Sequence, residues 1–231
     1  MGNRALKAVL LSAGVSGMFY LVVSGVSGGS GEPAPSAWVV PGRTAYAQSP
    51  ADQLRYSVVT VRSEVRYRVR EQLVGLSFPN DAVGATSAIR GSVSVDAQGR
   101  VLPTDSRFTV DLRTLRSDEP RRDNYVRRNT LETDRFPTAV FAPAEIRGLR
   151  LPLPQTGTAS CEIVGELTVR DTSRHIIWEA TATLNGQDIS VRARTALRFA
   201  DFGLRVPRVA VVLSVEDTIR LEADLLLRRS S

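Results

Sequence analysis

Residues 176–199 read IIWEATATLNGQDISVRARTALRF. Apolar side chains fall on Ile176, Trp178, Ala180, Ala182 and Leu184. They fall again on Ile189, Val191, Ala193, Leu197 and Phe199. A period of two marks strands with one buried and one wet face. Between the two runs stands Asn185-Gly186-Gln187-Asp188, a hairpin turn sequence. The stretch therefore predicts two adjacent antiparallel strands that present neighbouring inward faces.

The same period extends outward in both directions. Upstream it appears at Tyr56 and Val58, at Val65, Tyr67 and Val69, from Ile89 to Val95, from Phe108 to Leu112, and from Ile163 to Val169. Downstream it covers Val209 to Val215 and Ile219 to Leu227, with Glu216-Asp217 expected to turn the chain between two strands. Ala97-Gln98-Gly99 reads as another turn. The chain from Leu54 is thus all-β, about eight or nine short strands joined by hairpins, in a sandwich or an up-and-down barrel. The exception is 115–133. Ser117, Asp118, Glu119 and Pro120 form a helix start, with acids at the positive end of the dipole. Asn129 and Glu132 carry a second capping-box pattern. One or two short helices near 117–133 are expected to cover one end of the β structure, and Phe136-Pro137 leads into the next strand.

Composition excludes several chemistries. The chain has 231 residues, of which 42% are hydrophobic, enough for one full-sized domain. Of its 30 basic residues only Lys7 is lysine, so the domain offers no Schiff-base or P-loop lysine. One cysteine (Cys161) and one histidine (His175) exclude an intrachain disulfide, a cysteine-based zinc site and an H-E-x-x-H metal site. No G-x-S-x-G sequence occurs. No metal and no cofactor is expected. The net charge of +6 invites a nucleic-acid reading, but the arginines alternate with apolar residues, as in Val191-Arg192-Ala193-Arg194. That is a solvated sheet face rather than a nucleic-acid patch. Weak attraction to an anionic membrane surface fits better.

Arg4 and Lys7 precede an apolar run, Ala8–Val26. Residues 1–26 read as a signal peptide or an N-terminal membrane anchor, and either places the remainder outside the cytoplasm. Residues 27–53, rich in Gly, Ser, Pro and Ala, read as a flexible linker. The domain is expected over 54–231.

The inward set includes small residues: Gly165, Ala180, Ala182 and Ala193. Small inward side chains leave room for a ligand in a barrel, although periodicity alone favours an ordinary filled core. Phe108, Phe141, Trp178 and Phe199 lie on apolar faces, as core or as tunnel lining. Arg122 and Asp123 read either as a pair fixing the helical connection or as the holder of a polar head. In Asp201-Phe202-Gly203 the glycine allows a left-handed turn and the phenylalanine plugs the core. Asp105, Asp111, Asp123 and Asp134 have no spacing that forces a catalytic pair.

Four segments, in order, resemble the YceI-like family of exported lipid-binding proteins. They are VGATSAIRGSVSVD (83–96), DLRTLRSDEPRRDNYVRRNTLETDRFPTAVF (111–141), VGELTVRDTSRHIIWEA (164–180) and LRFADFGLRVP (197–207). The second is the most specific. The chain departs from the family at Arg170-Asp171, where many members have His-Gly, and His175 is thereby expected in a turn. The resemblance implies an eight-stranded, extended, lipocalin-like antiparallel barrel with a short helical lid. It implies binding of an isoprenoid or other amphiphilic lipid in the interior, without catalysis. Phe108, Phe141, Trp178, Ala180, Ala182, Ala193 and Phe199 are then the ligand-facing set, with Arg122 and Asp123 at a polar head or in a structural role. A homodimer is compatible with such a barrel. An enzyme acting on such a lipid, or a surface interaction module with a filled barrel, are the rival readings.

Overall fold

The structure, a computed structural model, describes residues 53–75, 77–150, 154–208 and 212–230. The leader 1–26 and all of the 27–53 linker except Gln53 lie outside the described residues.

The described residues form ten strands: β1 (Leu54–Val58), β2 (Glu64–Leu73), β3 (Asn80–Thr86), β4 (Ile89–Val95), β5 (Arg107–Asp111), β6 (Thr138–Arg147), β7 (Thr156–Val169), β8 (Thr172–Asn185), β9 (Asp188–Arg198) and β10 (Val212–Ser230). Neighbours pair antiparallel in the order β1-β4-β5-β6-β7-β8-β9-β10-β2-β3, and β10 also pairs with β1. The ten strands make eight staves, because two staves are interrupted. β1 and β2 both pair with β10, Tyr56 opposite Arg229 and Val69 opposite Ile219, across a 3-10 turn at Thr60–Arg62. Ser63 repairs that gap: its hydroxyl donates to Val59 O (2.9 Å) and accepts from Leu226 N–H (3.0 Å). β3 and β4 likewise continue one another past Ser87-Ala88, β3 beside β2 and β4 beside β1. The β10–β1 pairing closes the ring, giving the expected eight-stranded antiparallel barrel. Among the described residues, closure there leaves a sheet edge only along β3, which pairs with β2 alone.

The hairpin around Gly186-Gln187 forms as expected, with Asn185 opposite Asp188. Downstream, the chain departs from the expected turns. Glu216-Asp217 does not turn the chain; it lies inside the single 19-residue strand β10, where the register shifts between Val215 and Ile219. Alternation resumes on both sides of this bulge, so the strand continues with the acids directed to water. His175 is also not in a turn. It is exposed on β8 opposite Glu166, and the β7–β8 turn is Arg170-Asp171, with Arg170 left-handed at φ 57°. Gly203 takes the expected left-handed conformation, φ 62°, behind a Phe202 that is 1% exposed.

Buried apolar side chains divide into two clusters. One, around Val95, Cys161, Leu184 and Leu227, occupies the middle and the end of the barrel that holds the Gly186 turn. The other, around Val69, Leu167, Phe199, Phe202 and Ile219, occupies the opposite end, beneath the β5–β6 connection. Outward arginines of β2, β9 and β10 are matched by carboxylates, mostly across neighbouring strands. Arg66 bonds Glu64, Glu222 and Asp224, while Arg68, Arg70 and Arg220 gather on Asp81. Charge alternation on the outer face is thus a cross-strand ion-pair ladder.

Candidate functional site: a lidded tunnel

At the upper end the barrel is split. The free edge of β3 meets no strand there among the described residues; its one contact of that kind is the bridge Ala85–Arg116. The β5–β6 connection, 112–137, fills the split and forms a lid. Its helix α1 is Pro120–Tyr125, with proline in the first turn and Glu119 as N-cap, whose carboxylate accepts Arg121 N–H at 2.9 Å. The second helical piece is not the separate helix that the Asn129–Glu132 pattern predicts. The chain runs on from α1 into a π-helical turn, Val126–Thr130, and Glu132 is left-handed at φ 50°. Tertiary anchoring prevails over the local capping pattern: the Glu132 carboxylate bonds Arg135 (2.8 Å) and Arg170 (2.7 Å). Both guanidiniums lie on the Phe136 ring, at 5.0 and 5.4 Å from its centre.

Inside the barrel is a cavity of about 1150 Å³. It runs the length of the staves, from Leu73, Val74 and Val212 at the lid end to Leu149, Leu184 and Ile189 at the other. Its wall is mainly aliphatic and aromatic. Phe108, Phe141, Trp178, Ala182, Ala193 and Phe199 all line it. Phe141 and Trp178 meet edge to face at 6.0 Å, and the Trp178 indole N–H is buried without a protein partner. Ala180 is buried in the core but is not on the wall. Gly165 is small for another reason: a β-carbon there would collide with Ala142 O and lie 2.7 Å from the Phe141 ring. The glycine seats Phe141 rather than opening the tunnel.

The room comes instead from a belt. Cys161, Ala180, Ala193 and Ala223 stand side by side in register across β7, β8, β9 and β10, each under 9% exposed. Four small side chains in one transverse row keep that side of the barrel from meeting the other. Burial also raises the Cys161 thiol above its ordinary pKa, which makes it a packing group rather than a nucleophile.

Charge enters the wall at the lid end, through Glu71, Asp118, Glu119, Arg121 and Arg122, whereas Arg66 and Glu222, which also border the cavity, form an outward ion pair between β2 and β10. Arg122 and Asp123 do not pair with each other. Arg122 reaches across from the lid to Glu71 of β2 (2.7 Å) and also holds Asp118. Burial opposes its charge, but Glu71 and Asp118 outweigh that and hold the guanidinium above its ordinary range. Asp123 turns away from the tunnel and accepts from Ser117 N–H (2.8 Å) and Ser117 Oγ (2.7 Å). It fixes the start of the lid.

Two tunnel groups escaped the sequence reading of the site. Glu71 continues the inward positions Val65, Tyr67 and Val69 of β2, so an acid on an apolar face was its visible mark. The Tyr67 ring packs where Gly84 leaves out a side chain, and burial pushes its hydroxyl up to about 12.

Residues 56–227 match the YceI-like domain family. Among curated relatives, UPF0312 proteins of two Pseudomonas putida strains, F1 and KT2440, are each 26% identical over 114 residues. These alignments take in 46% of this chain and only 56% of each relative's length. Among solved structures, a polyisoprenoid binding domain from Saccharophagus degradans, implicated in plant cell wall breakdown, superposes with a TM-score of 0.61. The identity is 13%, over 77% of this chain and 99% of that one. BcnA of Burkholderia cenocepacia gives 0.53 at 16% identity, over 73% and 98%. The Campylobacter jejuni YCEI protein gives 0.51 at 15%, over 69% and 91%. At these identities the likeness is one of fold.

Proposed function

The chain belongs to the YceI-like domain family, and from that premise we propose that its barrel binds an isoprenoid-like or other long-chain amphiphile, as a carrier, store or scavenger outside the cytoplasmic membrane. The observation that carries this reading is the tunnel. It is apolar along its length, exceeds the ~300–1,000 Å³ usual for drug-sized ligands, and carries its charged rim at one end. A long chain suits that shape. Each buried methylene contributes about 0.8 kcal/mol, so affinity needs little polar recognition along the tail. A polar head then rests near Arg122, Glu71 and Tyr67. The polyisoprenoid-binding relative of Saccharophagus degradans supports the same ligand class. The basic residues and apolar run at Arg4–Val26 support export.

Binding rather than catalysis accounts for the polar groups. Arg122, Glu71 and Asp118 are engaged with one another, and His175 lies exposed on β8, not on the tunnel wall. The test is mass spectrometry of organic extracts from protein purified without detergent. A co-purifying amphiphile near one per chain is expected. An empty extract, together with no saturable uptake of a fluorescent polyprenyl probe, would overturn the reading.

A further inference from the structure

We propose that the lid end of the barrel docks on an anionic phospholipid bilayer, with Val74, Phe78 and Leu213 entering the headgroup layer around the tunnel mouth. The inference rests on the lipid-binding reading and adds where and how the tunnel meets its lipid source. Five large apolar side chains are strongly exposed among the described residues. Three belong to this rim: Phe78 (80%), Leu213 (66%) and Val74 (58%). Val74 and Phe78 lie in the turn between β2 and β3. Leu213 occupies the register break of β10, where Val212 pairs with Leu73 and Ser214 with Gln72. The break and the turn therefore come together beside the β2–β10 seam.

The tunnel opens at this same end. The exposed members of its wall are Val74, Asp118, Glu119 and Arg121, all on the β2–β3 turn or the lid. At the far end Leu184 and Ile189 are buried and Leu149 is half-buried. Val74 is thus both an exposed apolar residue and a piece of the mouth. An apolar rim continuous with a lipid-shaped cavity and ringed by polar groups fits a bilayer surface. A tail entering there leaves hydrocarbon for hydrocarbon without crossing water.

Charge favours an anionic surface. Arg121, Arg128, Arg205 and Arg208 are exposed at this end with no ion pair among the described residues. Over the lid 112–137 taken with Glu71, Arg205, Arg208, Glu216 and Asp217, nine arginines face eight carboxylates. The cationic excess is small. It orients the barrel, while the three apolar side chains hold it there.

The experiment uses the full chain carrying Cys161→Ala, with nitroxide labels placed singly at Phe78→Cys, Leu213→Cys and Val61→Cys. Val61, 90% exposed at the β1–β2 break, is the control. On vesicles of phosphatidylglycerol and phosphatidylethanolamine, labels at 78 and 213 should shift severalfold from collision with an aqueous nickel chelate to collision with oxygen. The label at 61 should stay aqueous, and the shift should weaken in neutral phosphatidylcholine vesicles and in high salt. The readout is positional, so the apolar N-terminal run cannot mimic it by attaching the chain to the vesicle. Rim labels that remain in water on anionic vesicles, or a label at 61 that inserts equally, would overturn the proposal. Lipid extracted from the same samples separates the two ideas: a filled tunnel with an aqueous rim sinks the docking alone.

Discussion

Tyr67 shows how one side chain registers the interior. Its hydroxyl is raised from about 10 to about 12 by burial first, with Arg122 opposing and Asp123, Glu71 and Asp118 assisting. The folded state therefore resists ionisation that the unfolded chain allows. Stability from this group is fully present below about pH 10 and is lost as the pH rises toward 12. The loss is at most about 2–3 kcal/mol. Melting temperatures of the wild type should fall more steeply over that window than those of Tyr67→Phe; parallel curves would place the hydroxyl in water. Legibility at this scale was uneven. Phe202 as a plug and Gly203 as a left-handed turn were readable, because each follows from one residue's own chemistry. The partners of Arg122 and Asp123 were not. Glu71 lies 51 residues from Arg122 in the chain, and no local pattern specifies a contact across that distance. The adjacency of Arg122 and Asp123 suggested a pair, whereas successive helical positions point in different directions.

Among the elements, the strands β8 and β9 were legible almost residue by residue, because alternation and an Asn-Gly turn are local properties. The interruption of two staves was not, since alternation is silent about which halves share a neighbour. The lid was legible as helical but not as a π turn, because the Glu132–Arg170 anchor that shapes its exit comes from the β7–β8 turn. The belt of Cys161, Ala180, Ala193 and Ala223 lies between these cases. Its members are visible singly, but only register aligns them. That alignment makes Ala193→Trp informative. With the belt as clearance for a ligand, the indole should occupy the space of the tail, abolish co-purified lipid and leave the melting temperature within a few degrees of lipid-stripped wild type. In a solid core the same change overpacks and costs about 1–3 kcal/mol. Calorimetry and lipid extraction on one preparation separate the outcomes.

Taken whole, the molecule places its strongest packing at two clusters and leaves about 1150 Å³ of apolar space through the barrel. A closed ring of backbone hydrogen bonds permits this, because the sheet holds its shape without side chains meeting across the middle. Such a barrel forgoes the dispersion contacts that a filled interior would supply. A bound chain restores them and becomes part of the core, so ligand and fold are thermodynamically linked. A ligand held at a hundred times its Kd adds about 2.7 kcal/mol. For a domain of this size that raises the melting temperature by roughly 5–11 °C. Protein stripped by organic extraction and refolded should therefore melt lower than protein as purified. Titration with a polyprenyl amphiphile should return it to the original value along a saturable curve. Identical melting before and after stripping, in protein shown to have carried lipid, would mean that the ligand sits outside the barrel and that the tunnel is stable empty.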